Sequence, residues 1–187
     1  MTLHRSAQRT EETEELPQKV HIIQGQYHVS DQPNVVLMTL LGSCVAACIH
    51  DPLARVGGMN HFLLPGADRD TNTREAERYG VHLMELLVNG LLQRGARKDR
   101  LQAKLFGGAR TLERLSDIGR QNSIFAERFL KTEGITYLGG SCGGESGRRL
   151  QFWPVSGRAR QAMIAGKEVP IVVPPPAPHV DGDVEFF

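Results

Sequence analysis

Three short apolar runs, close together near the start of the chain, constrain the fold more than any other feature. They are residues 34–41 (NVVLMTLL), 45–50 (VAACIH) and 56–64 (VGGMNHFLL). Apolar runs of this length, bounded by glycine or by Asp-Pro, are typical of buried β-strands rather than of helices. The sequence therefore predicts three consecutive strands in the interior of a sheet.

Two helices are predicted after these strands. The first runs from about Thr73 to Arg94, because apolar side chains recur there at helical spacing and Gly95 ends the pattern. The second lies in residues 122–134 (NSIFAERFLKTEG), with Asn122 as a possible N-cap and Gly134 as a C-cap. The apolar positions of the first helix are Ala76, Tyr79, Leu83, Leu86, Leu87 and Leu91.

The remaining apolar stretches are predicted to be strands. They are residues 101–108 (LQAKLFGG), residues 134–140 (GITYLGG) and a closing hairpin in residues 148–164 that turns near Ser156-Gly157. Strands grouped in pairs with two helices between them indicate an α/β protein with a mixed sheet, and not a regular parallel barrel. The predicted fold class is a single-domain α/β sandwich of mixed β-sheet with helices packed on it.

The two ends of the chain differ in composition from the middle. Residues 1–19 are polar, charged and aperiodic, so we expect a disordered N-terminal segment. Residues 170–187 begin with a run of prolines and are expected to form a Pro-rich disordered tail. The folded domain is therefore placed at residues 20–169, and a chain of 187 residues fits one domain of ordinary size.

Charge and cysteine content exclude several classes of protein. A net charge of +1 without a basic run gives no case for nucleic-acid binding or for an anionic membrane surface. The apolar runs are too short to cross a membrane, and residues 1–19 have no apolar signal-peptide core. Three cysteines without a Cys-x-x-Cys pair indicate free thiols in a reducing compartment. The expected location is the cytoplasm.

Cys44 and His61 lie on two strands that the sequence joins as a hairpin. A four-residue loop from Asp51 to Ala54, with Pro52 favouring a tight turn, would place Cys44 directly opposite His61 on one face. Their Cβ atoms would then be roughly 5 Å apart. A five-residue loop would place the two side chains on opposite faces.

A thiol beside an imidazole has catalytic meaning, although other interpretations stay open. A protonated histidine lowers the pKa of a neighbouring thiol and favours the nucleophilic thiolate. Gly42 and Ser43 would form the site loop, and the Cys44 backbone N–H would face a developing oxyanion. The alternative is that Cys44 is an inert buried thiol, since free cysteines are among the most buried residues. A zinc site is the third interpretation, and its ligands would be Cys44, Cys48, His50 and His61.

The third cysteine, Cys142, lies in a glycine-rich stretch (GGSCGGESGRR). This stretch lacks the Gly-Lys-Ser/Thr ending of a phosphate-binding loop, so nucleotide binding is not expected. We expect the glycines to shape a tight loop near the site. Arg148 and Arg149 at its end would either orient a carboxylate or be solvated.

The chain resembles CheD, the chemoreceptor glutamine deamidase family of bacterial chemotaxis. LLGSCVAACIHDP resembles the family's Gly-Ser-Cys strand, and GGMNHFLLP resembles its histidine segment. Four later stretches are similar to further family blocks in the same order. They are RYGVHLMELLVNGLLQRGA, KLFGGA, IGRQNSIFAERFL and GGESGRRLQFWPVSG. The resemblance covers residues 22–164, nearly the whole predicted domain.

The resemblance implies an enzyme that hydrolyses glutamine side-chain amides on methyl-accepting chemotaxis proteins to glutamate. Cys44 matches the family's nucleophile and His61 its histidine, and the reaction needs no metal or organic cofactor. The implied fold is an α/β sandwich related to the deamidase domain of a cytotoxic necrotising toxin. The implied partners are the cytoplasmic helices of the receptors and, in some bacteria, a CheC-type phosphatase.

One position departs from the family pattern. The family usually carries a threonine six residues before the cysteine as the third catalytic member, and this sequence has Met38 there. Thr39, five residues before Cys44, is the candidate for that role. Because neighbouring side chains on a strand point to opposite faces, Thr39 is expected to face away from the place that the family's threonine occupies.

Two other functions remain open on the sequence alone. The first is a weakly active or inactive adaptor that binds chemoreceptors or a CheC-type phosphatase, since Met38 replaces the expected threonine. The second is a structural protein stabilised by zinc.

Overall fold

A computed structural model describes residues 16–64, 73–110 and 118–164. These residues form nine strands, two α-helices and a 3₁₀ turn at Lys98–Arg100. The strands are β1 Gln18–His21, β2 Tyr27–Ser30, β3 Val35–Leu41, β4 Val45–Asp51, β5 Val56–Asn60, β6 Gln102–Gly107, β7 Thr136–Cys142, β8 Arg148–Trp153 and β9 Arg158–Met163. The helices are α1 Thr73–Gln93 and α2 Ile118–Thr132.

The strands of the described chain form two sheets. The first sheet has the order β1-β3-β8-β9, and the second has the order β2-β5-β4-β6-β7. Each sheet is mixed, because β1 pairs parallel to β3 and β6 pairs parallel to β7, whereas the other pairs are antiparallel. The predicted single-domain α/β sandwich is confirmed, with two mixed sheets where the sequence suggested one.

The second sheet is the middle layer of three. Alternate side chains of its central strand β4 point to opposite faces. Ala46 and Cys48 pack in the core between the two sheets, whereas Val45, Ala47 and Ile49 pack in the core that includes both helices. A strand covered on both faces has no polar side, which explains the continuous apolar run in the sequence.

The predicted helices are found, with differences at their ends. Gly95 and Gly134 follow α1 and α2 with φ angles of 88° and 67°, the left-handed conformation that ends helices. Asn122 is not an N-cap, because α2 begins four residues earlier at Ile118 and Asn122 is buried inside the helix. Tyr79 was expected in the core but is 39% exposed, since Gly80 and Leu83 form the inner side of α1 at that level.

Strands β1 and β2 were not predicted from the sequence. Both are only four residues long, and their polar side chains hide the alternation that marks longer strands. Strand β1 begins at Gln18, two residues before the predicted start of the domain. The predicted disorder of residues 1–15 and the Pro-rich tail at 170–187 lie outside the described residues. None of the described helices is long and apolar enough to cross a membrane.

Candidate active site

The hairpin of β4 and β5 fixes the relation between Cys44 and His61. Its loop has four residues, as expected, but runs from Pro52 to Arg55, and Asp51 pairs with Val56. Asp51 belongs to the strand through its pairing with Val56, and its carboxylate accepts hydrogen bonds from the backbone N–H groups of Leu53 and Ala54 in the turn. The predicted register is therefore wrong by two residues along the partner strand.

A shift of two residues keeps side chains on the same face. Val45 pairs with Phe62, with N–O distances of 2.9 Å in both directions. Cys44 and His61 are therefore diagonal neighbours, not directly opposite. Cys44 packs against the core between the sheets, which is the face that Met59, two residues before His61, also occupies. The hairpin thus places the thiol and the imidazole on the same side of the middle layer.

Thr39 contacts His61 from the facing sheet. Its side chain is buried on the inner face of β3 with Leu37 and Leu41. Thr39 Oγ1 lies 2.9 Å from His61 Nδ1 and donates a hydrogen bond to the carbonyl oxygen of Ile22 at 2.7 Å. The expectation that Thr39 faces away from the site is wrong, because the inner face of β3 looks directly onto His61.

These contacts determine which nitrogen of His61 carries the proton. The Thr39 hydroxyl donates its single hydrogen bond to the carbonyl of Ile22, so Oγ1 accepts a hydrogen bond from the Nδ1–H of His61. The carbonyl of Ile22, 3.4 Å from Nδ1, is a second acceptor on the same side of the ring. Nε2 therefore holds a free lone pair, and this buried atom has no hydrogen-bond partner in the described structure. Burial lowers the pKa of His61, which keeps the ring neutral.

Cys44 is half-buried and carries a neutral thiol. Burial raises the pKa of the Cys44 thiol to about 11, although its own backbone N–H acts in the opposite direction. The thiol donates a hydrogen bond to Gln24 Oε1 at 3.7 Å and not to His61. Burial therefore disfavours a resting thiolate–imidazolium pair, because it disfavours the charged form of both groups.

The loop that carries Cys44 is held by three carbonyl contacts. The carbonyl of Gly42 accepts the N–H of Ala109 at 2.8 Å, and the carbonyl of Cys44 accepts the N–H of Gly108 at 2.7 Å. The carbonyl of Ser43 accepts a hydrogen bond from Asn122 Nδ2 at 2.9 Å. These hydrogen bonds hold the loop of Gly42 and Ser43 that carries Cys44, and the role of this loop in catalysis stays a prediction.

Asn122 connects this loop to the histidine segment. Its side chain is fully buried, and Oδ1 accepts the backbone N–H of Leu64 at 2.8 Å while Nδ2 donates to Ser43. The sequence did carry a signal, because Asn122 is a polar residue at helical spacing from the buried Phe125, Ala126 and Phe129. A buried amide in an apolar stripe requires polar partners from another element.

The glycine-rich loop after β7 lies beside the same region. Gly143 N–H donates to the carbonyl of Gly107, and Cys142 pairs with Gly107 in the sheet. Arg148 is almost fully buried and donates to the carbonyl oxygens of Ser141 and Gly143. Arg148 therefore holds the loop rather than a substrate carboxylate, whereas Arg149 is exposed.

The four candidate zinc ligands, Cys44, Cys48, His50 and His61, are not arranged around a common point. Cys48 and His50 are buried further along β4, and His50 packs against Gly157 at the β8–β9 turn. Within the described ranges no group of three or more histidine, cysteine or acidic side chains is placed to hold a metal ion.

Comparison with known proteins identifies the family to which this chain belongs. The family model described as CheD chemotactic sensory transduction matches residues 63–162. A curated relative from Rhizobium johnstonii is 58% identical over 182 residues and covers 94% of this chain and 99% of its own. The chain belongs to the CheD family.

Other CheD relatives are similar over most of the chain. The relative from Agrobacterium fabrum is 58% identical and covers 90% of this chain and 96% of its own, and that from Caulobacter vibrioides is 54% identical with 90% and 93% covered. All three relatives are named "Probable chemoreceptor glutamine deamidase CheD". A crystal structure of a Neisseria meningitidis protein of family DUF152 is similar with a TM-score of 0.44 and 11% identity, covering 70% of this chain and 64% of that one.

Proposed function

We propose that this chain hydrolyses the side-chain amide of selected chemoreceptor glutamines, giving glutamate and ammonia. The names of its CheD relatives support the substrate class. The observation that carries the chemistry is the unpartnered Nε2 of buried His61, on the same face of the sheet as Cys44. A neutral imidazole with its lone pair on Nε2 is the base that a neutral thiol requires.

The first step is attack by Cys44. Because both resting groups are neutral, His61 Nε2 takes the thiol proton as the sulfur bonds to the carbonyl carbon of the substrate glutamine. The imidazolium that forms donates a hydrogen bond from Nδ1–H to Thr39 Oγ1, so the buried charge is hydrogen-bonded. The Cys44 backbone N–H lies beside its sulfur and is a donor for the oxyanion.

The second half of the reaction reverses the proton movement. His61 Nε2 gives its proton to the amide nitrogen, which leaves as ammonia and a thioester on Cys44 remains. Nε2 then takes a proton from water, the hydroxide oxygen bonds to the thioester carbon, and Cys44 leaves as the thiol with the proton returned by His61. The new carboxylate adds a charge to the receptor helix, which alters its packing and signalling.

Partners and compartment follow from the same proposal. We propose the cytoplasmic helices of methyl-accepting chemotaxis proteins as substrates and a CheC-type phosphatase as a second partner. The three free cysteines of the described chain support a reducing compartment such as the cytoplasm.

The adaptor hypothesis is the second candidate. It is favoured by the absence of a hydrogen bond between Cys44 and His61 in the described structure and by the raised pKa of the thiol. An adaptor would bind receptor helices or the phosphatase without turnover.

Deamidation of a receptor cytoplasmic fragment tests the proposal. The purified protein should release ammonia and convert defined glutamines to glutamate, seen by peptide mass spectrometry. Cys44→Ser and His61→Gln should abolish both signals, whereas Cys142→Ser, at the exposed cysteine, should retain them. Binding of the fragment without conversion would favour the adaptor, and conversion that survives Cys44→Ser would disprove the nucleophile.

A further inference from the structure

A tight turn between β1 and β2 lies beside the side chain of Cys44, the candidate nucleophile. In residues 23–26 the N–H of Gln26 donates to the carbonyl of Ile23 at 3.0 Å, and Gly25 has a φ of 83°. This is the geometry of a type II turn, in which Gln24 is the first central residue. The side chain of Gln24 projects from the corner of the turn to the Cys44 sulfur.

The turn is attached to the backbone of the candidate base. Gly25 N–H donates to the carbonyl of His61 at 2.7 Å, and His61 N–H donates to the carbonyl of Gln26 at 3.0 Å. The carbonyl of Ile22, just before the turn, accepts the hydroxyl of Thr39. The position of Gln24 is thus fixed by the same residues that orient the imidazole.

The distance from Gln24 to the sulfur matches the needs of the reaction. When Cys44 attacks an amide, the developing oxyanion is bonded to the carbon that is itself bonded to the sulfur. Gln24 Oε1 is 3.7 Å from that sulfur in the resting structure. Rotation of the carboxamide about its last bond, a soft torsion, replaces Oε1 by the Nε2 donor. That donor then lies beside the sulfur, next to the carbon on which the oxyanion develops, and oxyanion-hole donors act at roughly 3 Å from that oxygen.

We propose that Gln24 is a catalytic residue, the side-chain donor of an oxyanion hole whose other donor is the Cys44 backbone N–H. In the resting state its carboxamide oxygen accepts a hydrogen bond from the thiol. In the transition state the carboxamide turns and donates an N–H to the oxyanion. This role rests on the proposed function and adds to it a residue outside the cysteine, histidine and threonine.

An alternative role for Gln24 is to cover the thiol. The two roles predict opposite effects of Gln24→Ala. Loss of a cover exposes Cys44 and accelerates every reaction of the thiol. Loss of an oxyanion donor slows only reactions that form an oxyanion, and alkylation by iodoacetamide forms none because the sulfur displaces iodide directly.

The experiment compares acyl transfer with alkylation in wild type, Gln24→Ala and Gln24→Glu. Acyl transfer is followed with the receptor fragment and with an N-blocked glutamate γ-p-nitrophenyl ester, which reports acylation of Cys44 without receptor recognition. Both variants should lower acyl transfer about 10²- to 10³-fold, the usual effect of losing one oxyanion donor. Gln24→Ala should alkylate at least as fast as wild type.

Gln26→Ala is the matched control, because Gln26 belongs to the same turn but its side chain accepts the Ile23 N–H instead of contacting the sulfur. It should retain acyl transfer within a few-fold. The proposal is overturned if Gln24→Ala leaves acyl transfer unchanged or raises it, or if acyl transfer and alkylation fall by the same factor.

The ester separates this proposal from the proposed function. If wild type is acylated by the ester and Gln24→Ala is not, but the receptor fragment is never deamidated, the role of Gln24 stands and the substrate assignment fails. If wild type acts on both substrates and Gln24→Ala equals it, only the role of Gln24 fails. If Cys44 of wild type is not acylated by either substrate, both proposals fail.

Discussion

Asn122→Asp should make the stability of the protein depend on pH through a single buried atom. In wild type, Asn122 Oδ1 accepts the N–H of Leu64 at 2.8 Å and Nδ2 donates to the carbonyl of Ser43 at 2.9 Å. An aspartate keeps the first contact, but its second oxygen meets the Ser43 carbonyl as another acceptor. Only the protonated acid can donate there, so burial and the Ser43 carbonyl both raise the pKa of the introduced carboxyl.

The magnitude follows from that shift. A buried carboxyl whose pKa rises by about three units from about 3.9 lowers the free energy of unfolding by about 4 kcal/mol at pH above the folded value. The sign is that of a raised folded-state pKa. The stability of the variant relative to wild type is greatest below about pH 4 and falls as pH rises through the folded pKa near 7. A domain with about 5–15 kcal/mol of stability would still fold.

The assay is urea unfolding of wild type and variant at several pH values from 5 to 8, with the difference in unfolding free energy as the result. Asn122→Leu is the control, because it removes both hydrogen bonds without a titrating group and should cost about 2–4 kcal/mol at every pH. A difference for Asn122→Asp that does not change with pH would refute the bridging role of this side chain.

Four further predictions test the site and its surroundings. Thr39→Val should lower the unfolding free energy by about 1–2 kcal/mol in urea titration, and should lower kcat for deamidation less than His61→Gln does, because the Ile22 carbonyl still accepts the Nδ1 proton. Iodoacetamide mapping by pH should show Cys44 gaining reactivity toward pH 11, above the value of about 8.5 for a free thiol, with Cys48 protected until unfolding. Gly107→Ala should abolish activity in the deamidation assay, since its φ is 112° and a Cβ would overlap the Cys44 carbonyl, whereas Gly143→Ala, at φ 83° with open space around it, should retain most activity. Burial alone would raise the pKa of Asp51, but hydrogen bonds from Ala54, Arg97 and Arg100 lower it to about 2. Asp51→Asn should therefore remove stability that wild type has above about pH 4 and loses as pH falls through 2, measured by acid titration of circular dichroism.

The sequence determined the elements whose signal is local. Long apolar runs gave β3, β4 and β5, and helical spacing ended by glycine gave α1 and the end of α2, because these patterns reflect the period of one element. Chemical type and family resemblance also identified Cys44, His61 and Thr39 as candidates. The short strands β1 and β2 were not predicted, because four mostly polar residues form a strand only when a neighbouring strand supplies their hydrogen bonds.

The tertiary structure decided how the candidate residues meet. Thr39 and His61 belong to different sheets, and no spacing in the chain shows that two sheets face each other with these side chains between them. Gln24 lies beside the Cys44 thiol because the backbone of its turn is hydrogen-bonded to the backbone of His61. Asn122 holds the loop that carries Cys44, although it lies 79 residues after Ser43 in a different element. The charge state of the Cys44 thiol also could not be predicted from the sequence. Burial raises its pKa, and burial depends on residues from other elements that pack around the thiol.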